Sequence, residues 1–145
     1  MKIKYERGDV FESPHRIIIH GVNAQGVMGA GFAARVKQEH PFAYREYRKA
    51  YEEGNLKMGS ILVVRAGKRV IIHAVTQKYY GREKDRRYVS YDAIAYAFQA
   101  VEEMLYGQTV AMPMIGSGLA GGDWNVIERI IESECKTIQP IVYRL

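Results

Sequence analysis

The chain has 145 residues, 48% hydrophobic and 26% charged, which fits one globular domain (residues 1–145) around one core. A net charge of +5 and a pI near 9.3 suggest an acidic ligand or partner. The single cysteine, Cys135, excludes an internal disulfide and a cysteine-cluster metal site; no apolar run approaches the roughly 20 residues that cross a bilayer. The start, Met1-Lys2-Ile3-Lys4-Tyr5, lacks the apolar block of a signal peptide, so a reducing cytoplasmic interior and no membrane partner are expected.

In chain order, alternating residues predict a first strand over about Met1 to Tyr5, then a turn at Arg7-Gly8-Asp9. Arg16 to Gly21 contains Ile17-Ile18-Ile19, a continuous apolar run expected of a strand buried on both faces. Gly29 to Glu39 reads as a helix opened by glycines, and Pro41 starts a second one through Glu53, stopped by Gly54-Asn55. Ser60 to Arg65 and Arg69 to Val75, joined by Ala66-Gly67-Lys68, read as a hairpin. A loop of roughly 14 residues follows, long enough to suggest function or mobility. Its stretch Lys78-Tyr79-Tyr80-Gly81-Arg82-Glu83-Lys84-Asp85-Arg86-Arg87 reads by default as a solvated loop, with a basic rim that draws in a phosphate-bearing ligand as the sharper alternative. Two acids among these bases speak against a continuous nucleic-acid-tracking stripe. Ser90 is placed to cap a helix reaching about Tyr106; Thr109 to Met112 is a short strand, Asp123 to Cys135 a helix and Gln139 to Tyr143 a closing strand. Such alternation means a sheet covered on both faces, with ligands held beyond the carboxyl ends of strands.

Two strand-to-helix junctions are rich in glycine: His20-Gly21-Val22-Asn23-Ala24-Gln25-Gly26-Val27-Met28-Gly29-Ala30-Gly31-Phe32-Ala33, and Pro113-Met114-Ile115-Gly116-Ser117-Gly118-Leu119-Ala120-Gly121-Gly122-Asp123-Trp124. Bare backbone of this kind can approach a ligand closely, and successive N–H groups at a helix start favour an anion. Gly26, Gly29 and Gly31 give G-x-x-G-x-G rather than the dinucleotide fingerprint G-x-G-x-x-G, and no G-K-[ST] follows, which disfavours a P-loop. Either loop alone reads equally well as a tight structural turn; two in one short chain point to a phosphate-type ligand.

Gly8-Asp9-Val10, the run Asn23 to Ala33 and the run Pro113 to Trp124 resemble, in order and spacing, three signatures of the macrodomain family. The likeness is greatest to the branch holding ADP-ribose-1''-phosphate phosphatases and the terminal ADP-ribose glutamate hydrolase, which the ending Ile141-Val142-Tyr143-Arg144-Leu145 also resembles. The resemblance implies a three-layer α/β/α macrodomain with a mixed central sheet of about six strands. It implies that Asp9 accepts from the adenine amino group beside the Val10 backbone, and that Gly29, Ala30, Gly31 and Phe32 wrap the diphosphate from one side. Ser117, Gly118, Leu119 and Ala120 would close over it from the other, near Thr76 at its strand end, while Asn23 bonds the distal ribose. Tyr143 is a candidate for stacking near adenine, with a core tyrosine as the equal alternative. For Asp9 the plain alternative is a turn residue, and for Asn23 a loop residue satisfying its own backbone.

Cleaving a phosphate monoester requires a placed water, a proton carrier and donors for the developing charge. The resemblance implies catalytic parts for His20, as acid or base and less readily as nucleophile, for Asp123, which would position water or accept its proton, and for Asn23. A backbone-bonded core histidine and a helix N-cap are the corresponding plain readings. His15, His40 and His73 have no comparable placement and are read as structural or surface residues. The glutamate-ADP-ribose hydrolase carries a lysine after a Leu-Ile-Thr strand end and an aspartate after Gly-Leu. This chain has Gln77 after Thr76, with Lys78 one residue late, and Ala120 after Leu119. A one-residue slip reverses side-chain direction, which argues against that lysine-dependent mechanism. The expected activity is therefore hydrolysis of ADP-ribose 1''-phosphate to ADP-ribose and phosphate, with no metal or other cofactor. The alternatives are a non-catalytic ADP-ribose reader and a de-ADP-ribosylase acting on ADP-ribosylated protein, with a nucleic-acid module least favoured.

Overall fold

The computed structural model describes residues 1–145. Its strands are β1 (Lys4–Arg7), β2 (Ile17–Asn23), β3 (Ile61–Ala66), β4 (Arg69–Gln77), β5 (Thr109–Met112) and β6 (Gln139–Arg144). Its helices are α1 (Gly31–Glu39), α2 (Pro41–Glu52), α3 (Tyr91–Met104) and α4 (Trp124–Glu134), and a single 3-10 turn spans Val10–Glu12. None of the helices is long and apolar enough to cross a membrane. The strands form one mixed sheet in the order β1-β6-β5-β2-β4-β3, in which only the β3–β4 hairpin is antiparallel.

The isoleucine run in β2 shows why the sheet has two covered faces. Successive side chains point to opposite sides of a strand. Ile17 and Ile19 enter the larger core with Ile72, Ile94, Phe98 and Ile127, beneath α3 and α4. Ile18 points the other way, to Val36, Ala43 and Ile71 beneath α1 and α2. The same alternation places His20 with Ile18 on the α1/α2 face, and the parallel register of β2 and β4 sets His20 directly beside His73.

Boundaries moved where tertiary contacts outweigh local pattern. The first strand begins at Lys4 rather than Met1, because its register is set by pairing with β6, Lys4 opposite Ile141 through Arg7 opposite Arg144. The 3-10 turn after Asp9 has no counterpart in the sequence pattern; Asp9 caps it by accepting from the Phe11 amide at 2.9 Å. The hairpin turn at Gly67 (φ +66°) and the Ser90 cap on the Ala93 amide match the expected positions.

Glu102, on α3, fixes the connection between α4 and the last strand. Its Oε1 accepts from the amides of Lys136, Thr137 and Ile138 at 2.8, 2.8 and 3.0 Å, and Oε2 accepts from the Thr137 hydroxyl. Burial by itself raises a carboxyl pKa, but the Thr137 hydroxyl and these amides outweigh it and hold Glu102 near 2, below its ordinary 4.5. A pKa depressed on folding adds stability above the unfolded value and loses it as pH falls through the folded one. The melting temperature is therefore expected to drop between pH 4.5 and 2, and Glu102→Gln, which loses the charge, should flatten that drop in thermal melts across the window.

Candidate functional site

The carboxyl ends of β2, β4 and β5 open into a cleft of about 430 Å³, within the range of small-ligand sites. Both glycine-rich loops line it: Gly29, Ala30, Gly31, Phe32 and Ala33 from the first, and Gly116, Gly118, Leu119 and Ala120 from the second. The sheet order explains their meeting, since β2 and β5 are hydrogen-bonded neighbours and each loop leaves the same end of its strand.

The first loop presents unoccupied donors. Ala30 is the N-cap of α1 and, lacking a side-chain acceptor, leaves the first-turn amides uncapped. The helix starts at α3 and α4 differ, because Ser90 and Asp123 satisfy an amide each. Uncapped amides at a helix start carry partial positive charge, and Gly31, Phe32 and Ala33, the first residues of α1, belong to the lining. Gly21 must be glycine for room: a Cβ there would stand 2.7 Å from Thr76 Oγ1.

Asn23 lines the cleft but is largely engaged by its own loop. Its Oδ1 accepts from the Gln25 amide at 2.9 Å and from the Tyr47 hydroxyl at 2.9 Å, and Nδ2 donates to the Val27 carbonyl at 2.8 Å. One Nδ2 hydrogen is left for a ligand. In the second loop Gly118 has open space where a side chain would begin. Gly121 does not: at φ +75°, a Cβ would lie 2.4 Å from the Arg86 carbonyl oxygen. That contact belongs to a lateral wall formed by the segment after β4. The amides of Tyr88 and Val89 donate to the Ala120 carbonyl at 2.7 and 3.2 Å, and Tyr80, Gly81 and Arg82 face the cleft. The lining contains a guanidinium and no carboxylate, an electrostatic setting for an anion.

Several sequence candidates lie elsewhere. Ser117 is absent from the lining, and its hydroxyl donates to the Met114 carbonyl at 2.8 Å. Asp123 is exposed and outside the lining, and it caps α4 through the Asn125 amide at 2.9 Å, which is the plain alternative that the sequence offers for it. Asp9 bonds Arg35 at 2.9 Å, and the Phe11 amide first and Arg35 second hold its carboxyl below the usual range. It is outside the lining; the ring of Phe11, whose amide it accepts from, stacks on that of Phe32 at 5.0 Å. Val10 is buried in the core, and Tyr143 packs against that core and edge-on to His15 at 5.8 Å; neither is in the lining. At the end of β4 it is Thr76 and Gln77 that line the cleft, whereas Lys78 is exposed with Nζ 5.4 Å from the Tyr79 ring centre.

Three residues the sequence undervalued bear on the site. Arg82 and Tyr80 belong to the stretch read by default as solvated; the signal was an aromatic–Gly–Arg run directly after a strand end. His73 belongs to a buried pair: His20 Nε2 lies 2.7 Å from His73 Nδ1, and His73 Nε2 lies 2.9 Å from the Ala43 carbonyl. Burial, with the neighbouring His73 second, holds His20 well below its ordinary pKa, and burial pushes His73 down to about 4 against the opposing Ala43 contact. Both rings are neutral at pH 7. His20 is 1% exposed, lies at the cleft floor near Phe32 (ring centres 5.7 Å apart), and its Nδ1 has no hydrogen-bond partner.

The family model described as "Macro domain" matches residues 19–131. The chain is 30% identical to the DNA ADP-ribosyl glycohydrolase of Mycobacterium tuberculosis over 90% of this chain and 38% of that protein. It is 26% identical to an ADP-ribose 1''-phosphate phosphatase of Lodderomyces elongisporus, over 91% of this chain and 92% of that one. The macrodomain of Mycobacterium tuberculosis DarG superposes with a TM-score of 0.84 at 26% identity, covering 99% of this chain and 97% of that one. The chain spans about two-fifths of the length of the glycohydrolases it matches.

Proposed function

Because the chain belongs to the macro domain family, we propose that its cleft binds ADP-ribose through the diphosphate and hydrolyses ADP-ribose 1''-phosphate to ADP-ribose and inorganic phosphate. The observation that carries this reading is the meeting of two bare-backbone loops across one carboxylate-free cleft, with His20, whose buried Nδ1 has no hydrogen-bond partner, among its lining residues. The uncapped first-turn amides of α1 and the backbone at Gly118 to Ala120 take the diphosphate, with Arg82 closing the open side. The distal ribose then lies toward Asn23 and His20. Water attacks phosphorus as the bond from phosphorus to O1'' breaks; His20 Nδ1 takes the proton from the water and returns it to O1''. Loop amides offset the charge on the phosphoryl oxygens. Asp123 has no part in these steps.

Two measurements test this reading together. Calorimetry should show saturable binding of ADP-ribose, and the wild type should release phosphate from ADP-ribose 1''-phosphate. Asp123→Ala should retain that rate within about twofold while losing about 1 kcal/mol of stability in a denaturant melt, the usual worth of an N-cap. Saturable binding without phosphate release leaves an ADP-ribose reader in its place.

A second reading is removal of ADP-ribose from a macromolecule. It is favoured by the basic, aromatic segment that reaches the cleft at Tyr80 and Arg82 and carries exposed Lys78 and Tyr79 just before them, and by the relatives named for a glycohydrolase activity. Under it, Lys78→Ala cripples release of ADP-ribose from a modified strand or protein; under the first reading Lys78→Ala leaves phosphate release near wild type.

A further inference from the structure

The two buried histidines carry a directional chain of protons. A carbonyl oxygen only accepts, so the 2.9 Å contact to Ala43 requires the proton of His73 on Nε2. A neutral ring with its proton there has a lone pair on Nδ1. His20 Nε2, 2.7 Å from that lone pair, must then be the protonated nitrogen of His20. The opposite arrangement would set two lone pairs against each other at that distance and bury an unpaired Nδ1–H. What is left at the end of the chain is His20 Nδ1, unprotonated and unpartnered, in a residue that lines the cleft.

We infer that His73 is a positioning residue that locks His20 in the Nε2–H tautomer and so keeps the Nδ1 lone pair as the basic atom at the cleft floor. The catalytic part of this inference rests on the reading of the cleft as a phosphatase site; the tautomer does not. The arrangement has the logic of a buried group that holds one imidazole nitrogen so that the other is ready to act. Its scaffold is the parallel pairing of β2 with β4, which puts the two histidines side by side, and the start of α2, which supplies the Ala43 carbonyl. Tyr47, with its ring centre 5.5 Å from that of His73, and Phe32, against His20, pack around the pair.

The test is a long-range nitrogen–proton correlation spectrum of histidine-labelled protein at pH 7, joined to phosphate-release kinetics on His73→Phe and His73→Asn. The wild-type spectrum is expected to show both rings neutral, with the His20 proton on Nε2. His73→Phe keeps the ring volume but offers no acceptor. His20 should then populate both tautomers, and kcat should fall about 10- to 100-fold, the usual effect of removing such a supporting partner, with KM within about twofold. His73→Asn, whose Oδ1 can again accept from His20, should restore the single tautomer and most of kcat. A wild-type His20 protonated on Nδ1 overturns the inference, as does a folded His73→Phe with an unchanged His20 spectrum or wild-type kcat. If the wild type releases no phosphate, the phosphatase reading fails, and the spectra of wild type and His73→Phe alone decide whether the lock exists.

Discussion

Gly118→Asp is expected to weaken ADP-ribose binding by at least about 100-fold, or about 2.7 kcal/mol, while leaving the melting temperature within about 2 °C of wild type. Gly118 lies in the cleft lining, has open space where a Cβ would begin and does not occupy the positive-φ region, so the fold itself does not require glycine there. Only a ligand brought against bare backbone requires it. A carboxylate at that point would fill the approach and face a diphosphate with like charge at close range. Gly121→Ala is the opposite case. It sits in the same loop, but its φ of +75° and the 2.4 Å approach to the Arg86 carbonyl oxygen make glycine a demand of the fold. That variant should lose several degrees of melting temperature, as expected for about 1–2 kcal/mol of backbone strain. Calorimetric titration and thermal melts on both proteins separate the two roles. Wild-type affinity in Gly118→Asp would mean that the second loop does not touch the phosphates, and the proposed placement of the ligand would fall.

The residues that were readable from sequence share a property: their structural consequence is local. Ile17 to Ile19 declared a strand buried on both faces, Ser90 and Asp123 declared helix starts, and the glycines declared bare backbone at two strand ends. Asp123 illustrates the limit of even these signals, because a helix cap and an acid beside a ligand are the same residue type at the same loop end; the Asn125 amide contact shows the cap. The β1 boundary was misplaced because an exposed edge strand takes its limits from its partner rather than from its own alternation. His73 was passed over for a related reason. It stands 53 positions from His20, and the two meet only through the register of parallel strands joined by two helices and a hairpin. The wall at Tyr80 to Arg82 stands in the sequence only as the sharper alternative, a basic rim, because polar, charged segments are usually solvated. Here the backbone of Tyr88 and Val89 ties that segment to the Ala120 carbonyl, a contact with no signature in composition.

The second large effect is expected at His20, and the choice of substitution decides what is learned. His20→Ala would confound two losses, since the side chain is 1% exposed and its Nε2–H satisfies the buried Nδ1 of His73. Leaving that acceptor unpaired costs about 1–3 kcal/mol in addition to the cavity. His20→Gln separates them. The glutamine Nε2 can still donate to His73, so the melting temperature should stay closer to wild type than that of the alanine variant, yet an amide oxygen is not a base at neutral pH. Phosphate release from ADP-ribose 1''-phosphate by His20→Gln should therefore fall about 10²- to 10⁴-fold, the range supplied by a positioned general base. ADP-ribose affinity should change little, because the proposed diphosphate site is loop backbone and not the histidine. Such a pattern (chemistry lost, binding kept, fold kept) is one that a core histidine cannot produce. If His20→Gln turns over like wild type, the histidine pair is an element of packing alone, and the proton must be taken by a group brought in with the ligand or by solvent.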